Sequence, residues 1–132
     1  MTIDHSLRLS CHIDNIVTKA SARSALILRC FKSREPKLLL KAFDVYVRPV
    51  LEYCCQVWNP SYKCDINKIE AVQRRFTKKM CGFRDLTYGE RLSKLNRESL
   101  EERRLKADLA LVYCSLHEKC AVQFSQLFVT AK

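Results

Sequence analysis

Glycine and proline are scarce in this sequence, which has 2 Gly and 3 Pro among its 132 residues. β-Sandwiches and barrels need many such residues in their turns, so the scarcity argues against those folds. Apolar residues make up 48% of the chain, which is too large a share for a disordered segment. Long helices joined by short turns are the simplest structure that satisfies both facts.

Long apolar stretches are absent as well. The run at residues 45–51 is interrupted by Arg48 and Pro49, so no segment approaches the roughly 18 apolar residues of a membrane span. The N-terminal segment contains Asp4 and Arg8 where a secretory signal needs apolar residues. We therefore expect an intracellular protein, cytoplasmic or nuclear, that contacts no membrane and keeps its 8 cysteines reduced.

Recognisable catalytic motifs are missing too. Gly82 and Gly89 cannot form a glycine-rich phosphate loop, and no Cys, Ser or His lies in a nucleophile motif. Cys114, His117 and Cys120 do not form a zinc site, because one helix would hold the two sulfurs about 120° and about 9 Å apart. The sequence predicts no catalytic residue, no metal site and no cofactor in this chain.

Apolar residues recur at helical spacing from Ile13 onward and predict one all-α domain, residues 1–132, built as a small bundle of about four to five helices. Pro36 fits the first turn of the second helix, and Pro49 should kink that helix near Val45. The expected helices are 11–31, a second one that Ser33 caps and that runs to Trp58, and then 66–80, 88–95 and 100–119. Residues 121–132 are the expected frayed tail.

Two short patterns fix helix starts, since Thr87 with Glu90 and Ser99 with Glu102 have the spacing of capping boxes. The long last helix is expected to bury its apolar residues, which are Leu105, Leu109, Val112 and Leu116. The aromatic side chains are expected to pack in the core and not to stack on bases. These aromatic residues are Phe31, Phe43, Tyr46, Tyr53, Trp58 and Phe76.

Positive charge is in excess, with 24 Lys and Arg against 14 Asp and Glu and a net charge of +10. Such an excess favours polyanionic partners. No base-reading motif occurs, so contact with a phosphate backbone without sequence preference is expected. The candidate nucleic-acid-binding residues are Arg74, Arg75, Lys78, Lys79, Arg84, Arg91, Arg103 and Arg104. The alternative is that they form solvated helix pairs with Glu70, Glu101 and Glu102.

Three blocks of sequence resemble one family. They are Tyr46-Val47-Arg48-Pro49-Val50-Leu51-Glu52-Tyr53, Val57-Trp58-Asn59-Pro60 and Ile69-Glu70-Ala71-Val72-Gln73-Arg74-Arg75-Phe76-Thr77. Their order is similar to the region that follows the palm in jockey-like non-LTR retrotransposon reverse transcriptases. Further matches, among them His12-Ile13, Glu90-Arg91-Leu92 and Ser99-Leu100, extend the resemblance from about residue 7 to residue 116.

The resemblance implies a thumb-like fragment of an RNA-directed DNA polymerase whose catalytic aspartates lie on palm strands upstream of Met1. This sequence has no Tyr-x-Asp-Asp tetrad, and Asp44, Asp65, Asp85 and Asp108 are expected to be helix caps and surface charges. The chain alone is therefore not expected to be an enzyme, whereas the parent polymerase would need Mg²⁺. The implied partners are an RNA/DNA template-primer duplex and the missing palm domain.

Two other interpretations remain open. The chain is alternatively a helical protein-interaction module in which residues 47–58 dock on a partner, or a non-functional relic of a mobile element. Cys114 stands where relatives commonly have a basic residue, which favours a truncated or decaying copy. An apolar face left without its palm would also permit self-association.

Overall fold

The computed structural model describes residues 9–117, 119 and 121, and their regular structure is helical throughout. The expected all-α bundle is confirmed, with seven helices in the described residues instead of about four to five. They are α1 (Ser10–Cys30), α2 (Pro36–Tyr46), α3 (Arg48–Glu52), α4 (Cys55–Trp58), α5 (Lys63–Lys78), α6 (Tyr88–Leu95) and α7 (Leu100–Leu116). The tail expected from residue 121 lies, apart from Ala121, outside the described residues.

The segment expected to be one kinked helix, capped by Ser33 and running to Trp58, is three short helices. Glu35, not Ser33, is the residue before the first of them. Pro49 has no amide hydrogen to donate to the carbonyl of Val45, and α2 ends at Tyr46. A second break follows α3, where Cys54 adopts a left-handed conformation with φ 52°. The expectation of a single helix is therefore wrong, although one apolar seam continues through both breaks. Its buried members are Leu39, Phe43, Val47, Leu51, Cys55 and Trp58.

The core lies around α1 and α5, which pack against each other. α1 also contacts α2 and α3, while α5 also contacts α6 and α7, and α7 reaches α4. The rings of Phe43 and Phe76 meet with their centroids 4.8 Å apart, which joins α2 to α5. The apolar side of α5 is formed by Ile69, Val72 and Phe76, all of them buried. Because α5 contacts both α1 and α7, it joins the first and last helices of the bundle.

Both expected capping boxes are confirmed. The hydroxyl of Thr87 accepts from the amide of Glu90, whose carboxylate accepts from the amide of Thr87 at 2.8 Å. The hydroxyl of Ser99 accepts from the amide of Glu102 at 3.1 Å, and the carboxylate of Glu102 accepts from the amide of Ser99 at 3.1 Å. These contacts satisfy amides that a helix start leaves without intrahelical partners, so they fix where α6 and α7 begin.

The orientation of α7 differs from the expected one. Leu105, Leu109 and Leu116 are each more than half exposed, so their expected burial is wrong. The buried side of the helix carries Leu100 and Arg104 instead. α7 has apolar residues on two sides, and periodicity alone cannot choose between them. The contacts that hold its first turn decide which side faces the core.

The six aromatic residues divide into three groups. Phe31 is partly buried and packs against the core. Phe43, Trp58 and Phe76 are buried, as expected. Tyr46 and Tyr53 are 58% and 78% exposed, so the expectation of burial is wrong for these two residues. Both lie where the helix of segment 36–58 is broken. A continuous helix would have placed them on its apolar side, and the breaks turn them toward the solvent.

Candidate nucleic-acid interface

A buried carboxylate joins α5 to the start of α7. Glu70 is only 6% exposed. One of its oxygens accepts from the amides of Leu100 at 3.0 Å and Glu101 at 3.3 Å, and the hydroxyl of Tyr88 donates to the other oxygen. A negative charge at a helix N-terminus is also favoured by the helix dipole. Glu70 therefore holds α7 in place and is not available as a surface partner for the basic residues.

Tyr88 is the centre of a second set of contacts. The side-chain amide of Gln73 donates to the Tyr88 hydroxyl and to the carbonyl of Glu98, both at 3.1 Å. The guanidinium groups of Arg74 and Arg91 lie over the Tyr88 ring, 5.1 and 5.5 Å from its centroid. Burial raises the pKa of Tyr88, and the nearby Glu70 carboxylate raises it further. The phenol is thus held neutral, as a donor to Glu70.

Arg91 and Arg104, two of the candidate nucleic-acid-binding residues, are buried at 4% and 2% exposure. Arg91 donates to the carbonyl of Arg74 at 3.0 Å. Burial lowers the pKa of both guanidinium groups, and the carboxylate of Glu70 opposes this shift at Arg104. A phosphate backbone on the surface cannot reach either group, so the expected binding surface loses both residues.

Arg103 is accessible but already paired. Its guanidinium donates to both carboxylate oxygens of Glu52, at 2.6 and 3.2 Å. Neighbouring cations are paired as well, since Arg97 binds Asp44 through two nitrogens and Arg48 lies 2.9 Å from the same carboxylate. The basic residues near the start of α7 are therefore largely neutralised by carboxylates from α2 and α3. The second basic strip expected there is not a free cationic surface.

The four aspartates of the sequence analysis have separate environments, and Asp85 is an exposed residue, as expected. Asp44 is in the ion pairs just described, and Asp108 accepts from the side-chain amide of Asn59 at 2.6 Å. Asp65 is buried and accepts from the hydroxyl of Ser10 at 2.9 Å, so its expected role as a helix cap is wrong. Tyr62, not Asp65, is the residue before the first turn of α5.

The remaining candidates are Arg74, Arg75, Lys78, Lys79 and Arg84, which are all exposed. They lie on the last turns of α5 and on the turn that follows it. None of the five has a carboxylate within ion-pair distance in the part of the chain that the structure describes. These five cations are the free positive charges of the expected surface.

The same end of α5 borders two adjoining clefts, of about 430 and about 600 Å³. Together they bring six cations to one surface, the basic cleft, whose members are Arg29, Arg34, Arg75, Lys78, Lys79 and Arg84. No carboxylate lines either cleft. Arg29 and Arg34 were missed by sequence reasoning, because only the packing of α1 on α5 brings them beside the cations of α5.

Other kinds of site receive no support from the part of the chain that the structure describes. Within residues 9–117, 119 and 121, no three His, Cys, Asp or Glu side chains are grouped to hold a metal ion. Cys120, from the string that sequence reasoning considered, lies outside these residues. The described cysteines are free thiols, and Cys55 is the buried one. No helix in the described part of the chain has the length and apolar character needed to cross a membrane.

The fold and this surface define a small all-α domain in which six cations and no carboxylate line the clefts at one end of α5. No family model matches the chain, and no solved structure matches it. A curated Caenorhabditis elegans protein, described as uncharacterized, is 29% identical over 106 residues. The alignment covers 78% of this chain and 54% of that protein, so the chain spans about half the length of the curated relative it matches.

Proposed function

We propose that the chain is a thumb-like fragment of a retrotransposon RNA-directed DNA polymerase that holds an RNA/DNA template-primer duplex by its phosphate backbone. It performs no chemistry alone. The catalytic aspartates and their Mg²⁺ would belong to the palm, which is its intramolecular partner in this proposal, and the setting would be the cytoplasm or nucleus. The sequence blocks described above supply the family part of the proposal. The charge distribution supplies the binding part.

One observation carries the binding proposal, namely that six cations line the basic cleft and no carboxylate does. Arg97 and Arg103 each have a carboxylate partner, whereas Arg75 and Lys79 have none among the described residues. Unpaired cations on one surface release counterions when they bind a polyanion, and this release favours binding. Phosphate contacts of this kind position a duplex without reading its sequence.

Removing charge from the end of α5 should weaken binding to an RNA/DNA hybrid. In a fluorescence-anisotropy titration, the plot of log affinity against log salt has a negative slope. Arg75→Gln/Lys79→Gln should reduce the magnitude of this slope by about 2, because two phosphate contacts are lost. Hybrids of unrelated sequence should bind the unmodified chain equally well. Circular dichroism should show unchanged helix content, since both side chains are exposed.

The matched control is Lys19→Gln/Lys41→Gln, which removes the same charge from exposed positions that do not line the basic cleft. If binding depends on the cleft, this control should keep the unmodified salt dependence. Equal effects of the two double variants would mean that only net charge matters. Absence of salt-dependent binding by the unmodified chain would refute the binding proposal.

A second candidate function, protein interaction, is favoured by α7. Leu105, Leu109 and Leu116 form an exposed apolar stripe, and Tyr113 on the same helix is also more than half exposed. Contiguous exposed apolar side chains are typical of a docking face. The docking segment expected at residues 47–58 buries its seam residues in the core but exposes Tyr53 and Val57.

If the α7 stripe mediates self-association, Leu105→Gln/Leu109→Gln should shift the chain toward monomer in sedimentation-velocity runs over a range of concentrations. Stability should change by no more than about 0.5 kcal/mol, since both side chains are largely exposed. Glu101→Gln, at an exposed position one turn earlier, is the control for a general effect of altered α7 surface. Unchanged association of the leucine variant would exclude the stripe as the contact.

A further inference from the structure

Two arginines outside α5 contribute to the basic cleft. Arg29 lies in the last turn of α1, and Arg34 lies between α1 and α2. Both line the cleft of about 430 Å³ whose α5 side carries Arg75 and Lys79. The cleft therefore has cations on two walls, which come from segments more than forty residues apart in the sequence.

The two walls are joined by the backbone. The amide of Cys81, in the turn after α5, donates to the carbonyl of Arg34 at 3.1 Å. α1 and α5 also pack directly against each other. The spacing of the two walls is thus set by the fold, and a ligand between them would meet cations that are already in position.

The charge of the cleft has no internal balance. Arg29 and Arg34 have no ion-pair partner among the residues that the structure describes, and the lining contains no carboxylate. Like charges gathered in this way repel one another unless an anion lies between them. Guanidinium groups also bind phosphate oxygens through two parallel hydrogen bonds, a geometry that lysine cannot provide.

The floor of the cleft restricts the group that binds. Leu28, Val72 and Phe76 line it, but Val72 and Phe76 are buried in the core. No aromatic face is therefore open there for base stacking, which nucleobase-binding surfaces require. A space of about 430 Å³ cannot admit a whole duplex, but it can admit one ridge of its sugar-phosphate backbone.

We propose that the basic cleft is a two-walled phosphate site, in which Arg29 and Arg34 contact the same backbone strand that Arg75 and Lys79 contact from α5. The inference rests on the proposed function and deepens it. It adds two binding residues from outside α5 to the backbone contacts of the proposed function and places them on a second wall of the same cleft. One strand of the duplex then follows the line where α1 packs on α5.

The test compares three double variants of the full chain in the same hybrid titration: Arg29→Gln/Arg34→Gln, Arg75→Gln/Lys79→Gln, and the control Lys19→Gln/Lys41→Gln. We expect the first two variants each to lose about tenfold in affinity at fixed salt and the control to lose little. Arg29→Lys/Arg34→Lys should recover only part of the loss, because lysine keeps the charge but not the paired hydrogen bonds. Circular dichroism melting of every variant checks that the fold is retained.

The outcomes separate the two proposals. Loss of affinity in the α5 variant alone would overturn the two-walled site and leave the proposed function standing. Loss in neither variant would overturn both. A third arm adds inorganic phosphate alone and follows the arginine side-chain signals by NMR. If millimolar phosphate shifts the Arg29 and Arg34 signals as much as the hybrid does, the site takes free phosphate and the assignment to a backbone strand is overturned.

Discussion

Replacing Glu70 with alanine is expected to lower the free energy of unfolding by about 3–5 kcal/mol, because each buried donor left without its acceptor costs about 1–3 kcal/mol. The Glu70 carboxylate accepts from the amides of Leu100 and Glu101 and from the hydroxyl of Tyr88. Alanine would leave all three donors without this acceptor in a buried location. It would also remove the carboxylate that favours the charged form of the buried Arg104.

Glu70→Gln separates the charge of this side chain from its shape. Glutamine keeps one acceptor oxygen, but its amide hydrogens would face donors of the neighbouring backbone. We therefore expect Glu70→Gln to lower the free energy of unfolding, but by less than Glu70→Ala does. The negative charge at the start of α7 would also be lost, which contributes about 0.3–1 kcal/mol at a helix N-terminus.

Urea denaturation followed by circular dichroism measures these differences. Glu101→Ala is the control, because Glu101 is an exposed carboxylate in the first turn of the same helix. It should cost much less than Glu70→Ala. If the two alanine variants had the same midpoint, Glu70 would not be the residue that holds α7 on α5.

Helix starts were predictable where a local pattern determines them. The starts of α6 and α7 at Tyr88 and Leu100 follow from capping boxes, whose partners are three residues apart and so visible in the sequence. The breaks before α3 and α4 were not predictable to the same extent. Pro49 predicts the first break. The second break was not predictable, because glycine or asparagine usually occupies a left-handed position and the sequence has Cys54 there.

The types of residue in the candidate site were predictable from the sequence. Which of them are exposed and unpaired was not. Sequence spacing identified Arg75 and Lys79 on the polar side of a helix, and both are exposed. It could not show that Glu52 pairs with Arg103 across 51 residues, or that Arg104 faces the core. Such contacts depend on how helices pack, and helical periodicity contains no information about a partner on another helix.

The block Ile69 to Thr77 carries much of the family resemblance, and most of its side chains act inside the fold. Glu70 holds α7, Gln73 binds Tyr88 and the backbone of Glu98, and Phe76 packs in the core. Similarity in these residues is therefore an argument about a shared fold. The role of the exposed cations in ligand binding has to be tested separately. The binding variants therefore leave the buried residues of the block unchanged.

Trp58→Ala is the second change expected to have a large effect, with a loss of about 3–5 kcal/mol, the usual cost of truncating a fully buried large aromatic residue. Trp58 is 1% exposed, and its indole nitrogen donates to the carbonyl of Tyr53 at 2.7 Å. Its ring also meets that of His12 edge-on, 5.6 Å between centroids, which joins α4 to α1. Alanine would remove all of these contacts and leave a cavity.

Two neighbouring changes make the Trp58 experiment specific. Trp58→Phe keeps an aromatic ring but loses the hydrogen bond to Tyr53, so about 1–2 kcal/mol should be lost. Val57→Ala, at a side chain 64% exposed on the same short helix, should change stability by less than about 0.5 kcal/mol. Circular dichroism is the readout, because Trp58 is the only tryptophan and its fluorescence disappears in two of the variants. An unchanged midpoint for Trp58→Ala would contradict its burial.

His12 offers a second measurement on the same contact, independent of the unfolding midpoint. Burial lowers the pKa of His12, and the Trp58 ring is part of what covers the imidazole. In Trp58→Ala the imidazole gains access to water, so its pKa should rise toward the ordinary value for histidine. An NMR titration of His12 in the folded variant checks this shift. If the pKa stayed where it is in the unmodified chain, the Trp58 ring would not be what shields His12.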